Sequence, residues 1–503
     1  MNHPLPPLIQ AMLLADFYPH ETQDIHLHQT HISWVVLTRE YAYKVKKPVD
    51  FGFLDFSTLE KRHHFCKEEL HLNRRLAPDL YLEVLPIGQQ GNRFQLGATQ
   101  DTVEWCVKMR QFGDDDLLDA QIRKDSFNPK WLDTLARDIA TFHAQAKQNH
   151  EITAFGAPSF LLRHIDASLN AALHHPEAIR VEEIHHLRRE FMVQIERLAC
   201  IFEQRMRDAH IRDCHGDLHL GNITLFNNHP TVFDCIEFNP EYRAIDTLSD
   251  VAFLVMDLDA RGHADLAFRF LSRYLDLSGD YSGVQLLPLF LCYRASVRGK
   301  VACLLAEDAS IEPIEKQRKL QEAAEYFALA ADYLHCMPKP QIFAIGGLSG
   351  SGKSHLALLG CGPERAIIIR SDATRKRIAC EYSDLDLYSE AMNKLTYQAM
   401  FNAAVILLNA GWPVILDATF LSKNERQRAR DVAKSAGVSL HFTWLDVPEA
   451  KLRQHIQHRK TIGTNISDAD LNVLELQLTR YQRPDEPETH FLKSAEAWPG
   501  NNK

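Results

Sequence analysis

No stretch of this chain reaches the ~18 unbroken apolar residues that a membrane helix needs. The longest apolar runs, such as Leu286–Cys292, read as buried helix. The first twenty residues carry no basic segment followed by an apolar one, so no secretory signal is expected. Ten cysteines are scattered without a single CxxC pair. That argues against a disulfide framework or a zinc ribbon, and reduced thiols in a cytoplasmic setting fit best. Histidine is plentiful, at 26 residues, yet His26-x-His28-x-x-His31 and the pairs His63-His64, His174-His175 and His185-His186 form no HExxH or regular Cys/His pattern. They read as surface or structural histidines rather than metal ligands. Internal repeats and low-complexity tracts are absent too.

What is present is a soluble globular composition, 45% hydrophobic and 24% charged over 503 residues. That length calls for two or three domains. The net charge of −10 is unevenly spread: residues 341–503 hold 20 Lys+Arg and 18 Asp+Glu, leaving 36 and 48 for residues 1–340. The acidic first part argues against broad nucleic-acid binding there. The clearest boundary is Met337-Pro338-Lys339-Pro340, a short stiff linker. Before it, Leu320, Ala324, Phe327, Ala331 and Leu334 recur at helical spacing; after it, Gln341–Ile345 reads as a buried strand. The expected domains are therefore 1–336 and 341–503.

Tyr41-Ala42-Tyr43-Lys44-Val45 alternates like a strand, residues 58–76 read as a helix, and 128–335 are mostly helical apart from 212–240. Beyond the linker, Ile367–Ile369, Val414–Leu416 and Leu440–Trp444 look like buried strands separated by helices. That alternation suggests a parallel sheet.

The first motif with chemistry in it is His215-Gly216-Asp217-Leu218-His219-Leu220-Gly221-Asn222, followed twelve residues later by Asp234. An acceptor hydroxyl needs a carboxylate to orient it and take its proton, and Asp217 suits that. Magnesium on ATP phosphates needs hard oxygen ligands, which Asn222 and Asp234 can supply. Phosphoryl transfer asks mainly for positioning and charge neutralisation. The layout resembles the aminoglycoside phosphotransferase family, a protein-kinase-like branch that also holds choline and fructosamine kinases. The resemblance extends over roughly residues 20–335 and is strong over 213–256.

The resemblance implies an α+β kinase-like domain with a small strand-rich lobe and a large helical lobe. It also implies a phosphate-pairing lysine, for which Lys44 is the choice over Lys46 and Lys47. Its glutamate partner would be Glu69, with Glu68 the runner-up. A hinge for adenine is expected over 108–112, with Met109 as its nucleotide-binding residue. Asp246 and Asp250 resemble carboxylates that brace the catalytic loop, and Glu237 is a candidate extra carboxylate. The departure is a missing GxGxxG ahead of Lys44, where the equivalent turn, Thr30-His31-Ile32-Ser33, has no glycine. Arg294 and Arg298, four apart on an apolar helix, read as structural cations or as a lining for an acidic acceptor.

The second motif is Gly347-Leu348-Ser349-Gly350-Ser351-Gly352-Lys353-Ser354, which fits GxxxxGK[ST] between a strand and a helix. Such glycines let backbone N–H groups wrap phosphates at a helix N-terminus. Lys353 would reach the β- and γ-phosphates and Ser354 would ligate magnesium. Ile367–Asp372 ends a strand on a carboxylate, and Arg375 follows. This Asp-x-x-Arg resembles the acceptor site of small-molecule and polynucleotide 5′-hydroxyl kinases, in which the Asp orients a hydroxyl and the Arg holds a substrate phosphate. Val414–Asp417 looks like a Walker-B strand with Asp417 near magnesium. Arg459 is the first choice for a lid arginine among Arg426, Arg428, Arg430, Arg453 and Arg480. The domain resembles the α/β P-loop kinase group that includes polynucleotide kinase, gluconate kinase and zeta-type toxins. The whole resembles bifunctional aminoglycoside phosphotransferase/ATP-binding proteins.

The expectation is an ATP- and Mg2+-dependent phosphotransferase with two sites and small hydroxyl acceptors such as a sugar, amino sugar, nucleoside or antibiotic. A nucleic-acid 5′ end is the less favoured acceptor for the second site. The contrasting reading is a nucleotide-gated regulatory protein that binds ATP without turnover. No membrane partner is expected, and oligomeric state is left open.

Overall fold

The alternation in Tyr41–Lys46 builds the first sheet. Tyr43 and Val45 point to one face, where they are buried against Ile9, Met12 and Val36. Ala42, Lys44 and Lys46 take the other face. The computed structural model describes residues 5–52, 54–124, 126–308, 311–336, 338–462 and 470–499. The sheet is antiparallel and six-stranded, in the order His26–Gln29, Ser33–Leu37, Tyr41–Lys46, Thr102–Arg110, Tyr81–Gln90, Arg93–Leu96. Across its Lys44 face lies the helix Leu59–Asn73, started by Thr58, whose hydroxyl accepts from Lys61 N–H. Its buried positions, Arg62, Cys66, Glu69, Leu72 and Asn73, follow helical spacing, so Glu69 is carried inward on the packed face.

The helical lobe is built from long helices, among them Lys130–Gln145, Thr247–Ala260, Ala264–Ser278, Leu287–Ala306 and Pro313–His335. Two short ribbons interrupt it: Ile211–Asp213 pairs with Ala244–Asp246, and Ile223–Phe226 forms a hairpin with His229–Val232. The loop with Asp217 lies between these ribbons.

From Ile342 the chain forms a parallel sheet in the order Ile367–Arg370, Val414–Asp417, Ile342–Gly347, Leu440–Leu445, His490–Leu492. The short last strand carries no apolar run and escapes detection by pattern. The two halves do not hang on their linker alone. The edge strand Ile367–Arg370 is covered by helix Ala264–Ser278, and Ile368 N–H donates to Ser272 Oγ at 2.9 Å. Covering an edge in this way removes a row of unpaired backbone groups. Arg365 makes two bonds to Asp259, at 3.0 and 2.5 Å, and Arg370 Nε donates to Asp276 at 2.6 Å. Trp412 packs on Phe268, with ring centroids 5.8 Å apart, and one apolar core runs through both halves.

Candidate functional site

The first constellation lies where the strand-rich lobe meets the Asp217 loop. Lys44 Nζ is 2.6 Å from Asp234 Oδ1 and 2.8 Å from Glu69 Oε1. Burial alone would lower the Lys44 amine, but Asp234 and Glu69 outweigh it and hold it well above the ordinary range. Lys46, two residues on and on the same face, is also engaged. Its Nζ is 2.6 Å from Glu69 Oε2 and is bonded to Glu237 as well. Glu69 thus bridges two lysines. Burial pushes its carboxyl up, and the two cations more than reverse this, to about 2. Glu237, also buried, remains raised despite Lys46.

Asp217 accepts from Asn222 Nδ2 at 2.8 Å and faces His219 Nε2 at 3.4 Å. Burial would raise its carboxyl, yet His219, His215 and Arg298 hold it below the usual range. The loop is pinned from behind. Asp250 accepts from His215 N–H at 3.0 Å and Gly216 N–H at 2.9 Å, and Asp257 accepts from Leu220 N–H at 3.0 Å. Arg294 donates to Gly216 O at 3.0 Å and is buried, so it supports the loop backbone. Gly216 has φ +88°, and a Cβ there would stand 2.7 Å from Tyr242 O. Asp246 binds Arg205 and caps helix Thr247–Ala260. Asp234 has φ +61° and leaves a side chain 43% exposed, while Asn222 spends its amide nitrogen on Asp217. The oxygens of Asn222 and Asp234 are the hard donors that magnesium takes.

The hinge expected over 108–112 spans the end of a strand. Met109 lies inside strand Thr102–Arg110, opposite Ala42 and Tyr81, because the apolar alternation of the strand continues through it. The chain leaves the sheet only after Arg110, and Phe112 then packs on Phe233 with centroids 4.9 Å apart.

The second constellation surrounds the glycine-rich loop. Gly347, Gly350 and Gly352 have φ of 144°, 87° and 97°, backbone that side chains rarely adopt. At Gly350 a Cβ would stand 2.8 Å from Leu452 O. Ser354 Oγ donates to Asp417 Oδ2 at 2.6 Å. Burial raises the Asp417 carboxyl, against the pull of Lys353, the Ser354 bond and Arg370. Lys353 Nζ donates to Leu348 O at 3.0 Å, and Ser349 N–H donates to Gln477 at 2.8 Å. Ser351 Oγ is buried without a hydrogen bond among the described residues. Asp372 and Arg375 pair at 2.9 Å. Gly350, Gly352, Lys353, Ser354, Asp372, Arg375 and Asp417 border a cavity of about 1330 Å³, as do Arg428 and Arg480. Arg426 does not: it is buried on Glu486 and on backbone carbonyls. The side chain of Arg459 lies outside the described residues. The cradle of loop N–H groups, with a hydroxyl and a carboxylate at its end, fits a nucleotide phosphate with magnesium.

Residues 342–484 match the AAA domain family AAA_33. The chain is 32% identical over 421 residues to the uncharacterized protein Rv2004c of Mycobacterium tuberculosis, covering 81% of each. This chain belongs to the family of that mycobacterial protein. An alignment of 421 residues is longer than either half, so the family shares both. Among solved structures, a choline/ethanolamine kinase family protein from Mesorhizobium loti is 12% identical with a TM-score of 0.42, covering 66% of this chain and 95% of its own. A gluconokinase from Sinorhizobium meliloti is 21% identical with a TM-score of 0.25, covering 31% and 84%.

Reading the sequence alone missed Asp257 and underrated Lys46. Asp257 falls seven residues after Asp250, two turns along the same helix face, which was the available signal. Lys46 shares the Lys44 face by strand alternation. The residues that helix Ala264–Ser278 brings to the second cavity left no local signal at all.

Proposed function

We propose that the chain is an ATP- and Mg2+-dependent phosphotransferase with two sites, each acting on a hydroxyl of a small molecule. The observation that carries this reading is the convergence of Lys44, Glu69 and Asp234 across two lobes beside Asp217. That arrangement supplies a cation for phosphate, carboxylate and amide oxygens for magnesium, and a carboxylate to orient the acceptor. In this reading Asp217 positions the hydroxyl and accepts its proton. Its carboxyl lies below the usual range, so it is ionised at neutral pH and available to accept.

In the second site, Lys353 and the loop N–H groups hold the nucleotide phosphates, Ser354 and Asp417 hold magnesium, and Asp372 orients the acceptor beside Arg375. Bound magnesium would neutralise phosphate charge there. Domains 1–336 and 341–503 are the two catalytic units in this proposal.

The test is ATP consumption against a panel of aminoglycosides, sugars, nucleosides and 5′-hydroxyl oligonucleotides, comparing wild type with Asp217→Asn and Lys353→Ala. Acceptor-dependent turnover lost in one variant assigns that chemistry to one site. ATP binding without acceptor-stimulated turnover in wild type would instead favour a nucleotide-gated regulatory protein.

A further inference from the structure

The cavity at the glycine-rich loop is not made by the C-terminal half alone. Lys130, Asp133, Arg137, Arg269 and Arg273, all from the helical lobe, form one of its walls. Four cations thus stand against one carboxylate, in the half of the chain whose overall balance is acidic, 36 Lys+Arg to 48 Asp+Glu.

The carboxylates nearest this wall already hold other arginines. Arg269 holds Asp133 with bonds of 2.9 and 2.6 Å, and Arg370 holds Asp276 at 2.6 Å. Among the described residues the guanidinium groups of Arg273 and Arg137 make no hydrogen bond or ion pair, and Arg273 Nε is buried without a partner. Burial, the largest effect, together with Arg370 and Arg137 lowers the affinity of Arg273 for a proton, against the opposing pull of Asp276 and Asp133. Two arginines side by side, one of them partly buried and neither holding a carboxylate of its own, suit an anion. The cavity, at about 1330 Å³, exceeds the ~300–1,000 Å³ usual for one small ligand. It therefore has room for an acceptor beside the nucleotide.

We propose that the two halves of the chain build the acceptor pocket of the P-loop site together, and that it takes a small phosphomonoester whose phosphate is held by Arg273 and Arg137 of the helical lobe. This deepens the reading of the P-loop site as a phosphotransferase and rests on it for the word acceptor. The anion site itself can be read without turnover. The pocket exists only while helices Lys130–Gln145 and Ala264–Ser278 stay docked on the P-loop half, so the second site is incomplete without the first domain.

The test uses the full chain saturated with a non-hydrolysable ATP analogue and Mg2+, so that the loop N–H groups are occupied, and titrates inorganic phosphate by calorimetry. Phosphate should bind wild type and bind about tenfold or more weakly to Arg273→Gln and to Arg137→Gln, the loss expected for one charge-assisted contact. Nucleotide affinity should stay unchanged in both. Arg137 is exposed, so its substitution leaves the fold intact, and thermal unfolding checks Arg273→Gln. A second arm replaces phosphate by sugar and nucleoside monophosphates, by their unphosphorylated alcohols, and by a 5′-hydroxyl oligonucleotide. Tighter binding of the monophosphates, lost in the variants, supports the proposal. No phosphate binding to the nucleotide-saturated chain, binding that both variants retain, or an oligonucleotide that outcompetes every monophosphate overturns it. Loss of turnover in Lys353→Ala reports on the proposed function instead, so the two readings fail separately.

Discussion

Lys44 Nζ sits 2.6 Å from Asp234 Oδ1, joining strand Tyr41–Lys46 to the segment after the hairpin strand His229–Val232, 190 positions along the chain. Its neighbour Lys46 makes the equivalent pair with Glu69 and Glu237, but is far less exposed. The two lysines should therefore separate by phenotype. Lys44 borders the open side, where Asp234 is 43% exposed. Lys44→Met should lower turnover at the first site by about 10²–10³, the cost of losing a transition-state cation, with a smaller loss of stability than Lys46→Met. Lys46→Met leaves Glu69 and Glu237 buried without their shared cation and should cost about 3–5 kcal/mol of stability. Steady-state kinetics and urea unfolding of both variants decide. Equal loss of stability in the two would mean that Lys44 is structural too.

Asp217→Asn keeps the shape of the loop, because Asn222, Asp250 and Arg294 hold it through its backbone and its neighbours. The expected result is a fall of about 10²–10⁴ in turnover at the first site, with ATP affinity retained. Asp250→Ala should behave differently. It frees the His215 and Gly216 N–H groups and removes one of the two partners of His143, so stability should fall along with turnover.

At the second site, burial works against the charged form of Asp417. Burial raises its folded pKa, so any stability it contributes is present at low pH and is lost as pH rises through the folded value. Asp417→Asn should therefore raise the thermal midpoint at neutral pH without nucleotide, since an amide can still accept from Ser354. The same change should weaken Mg2+-dependent ATP binding by about 10–100-fold. Thermal unfolding with and without Mg2+ and ATP checks both halves of this trade-off. A variant that is less stable without nucleotide would contradict it.

The motifs that could be read in advance share a property: their parts lie within a few residues of each other. The glycine loop, the Asp217 loop and the Asp372–Arg375 pair are written as local spacing, because the backbone geometry they need is local. Strand alternation likewise put Lys44 on the right face, and helical spacing did the same for Glu69. What escaped is decided by packing between distant segments. Lys44 and Lys46 share a face, and only the positions of Asp234 and Glu237 distinguish them. Where strand gives way to loop within 108–112 is likewise set by packing, because an apolar strand end and an apolar linker look alike in sequence. The docking of helix Ala264–Ser278 on strand Ile367–Arg370, with Ser272 and Asp276 serving partners about a hundred residues away, leaves no periodic trace.

Acid should attack the lobe junction first. The Glu69 carboxyl, ordinarily near 4.5, is raised by burial but brought to about 2 by Lys44 and Lys46. Asp250, ordinarily near 3.8, is held at about 2 by His143, His215 and Arg294 acting against burial. Both folded values lie below the unfolded ones. Their stabilisation is therefore complete above about pH 4.5 and is lost as pH falls toward 2, because the unfolded chain binds protons that the folded one refuses. Glu237, raised by burial despite Lys46, has the opposite sign and partly offsets the loss. Each refused proton contributes a slope of up to about 1.4 kcal/mol per pH unit. Denaturant unfolding of wild type between pH 5 and about 2.5 should show this fall in stability. Glu69→Gln should be less stable at neutral pH yet show a shallower slope, since one refused proton has been removed. An unchanged slope would mean that Glu69 titrates alike in the folded and unfolded chains and that the two lysines do not hold its carboxyl down.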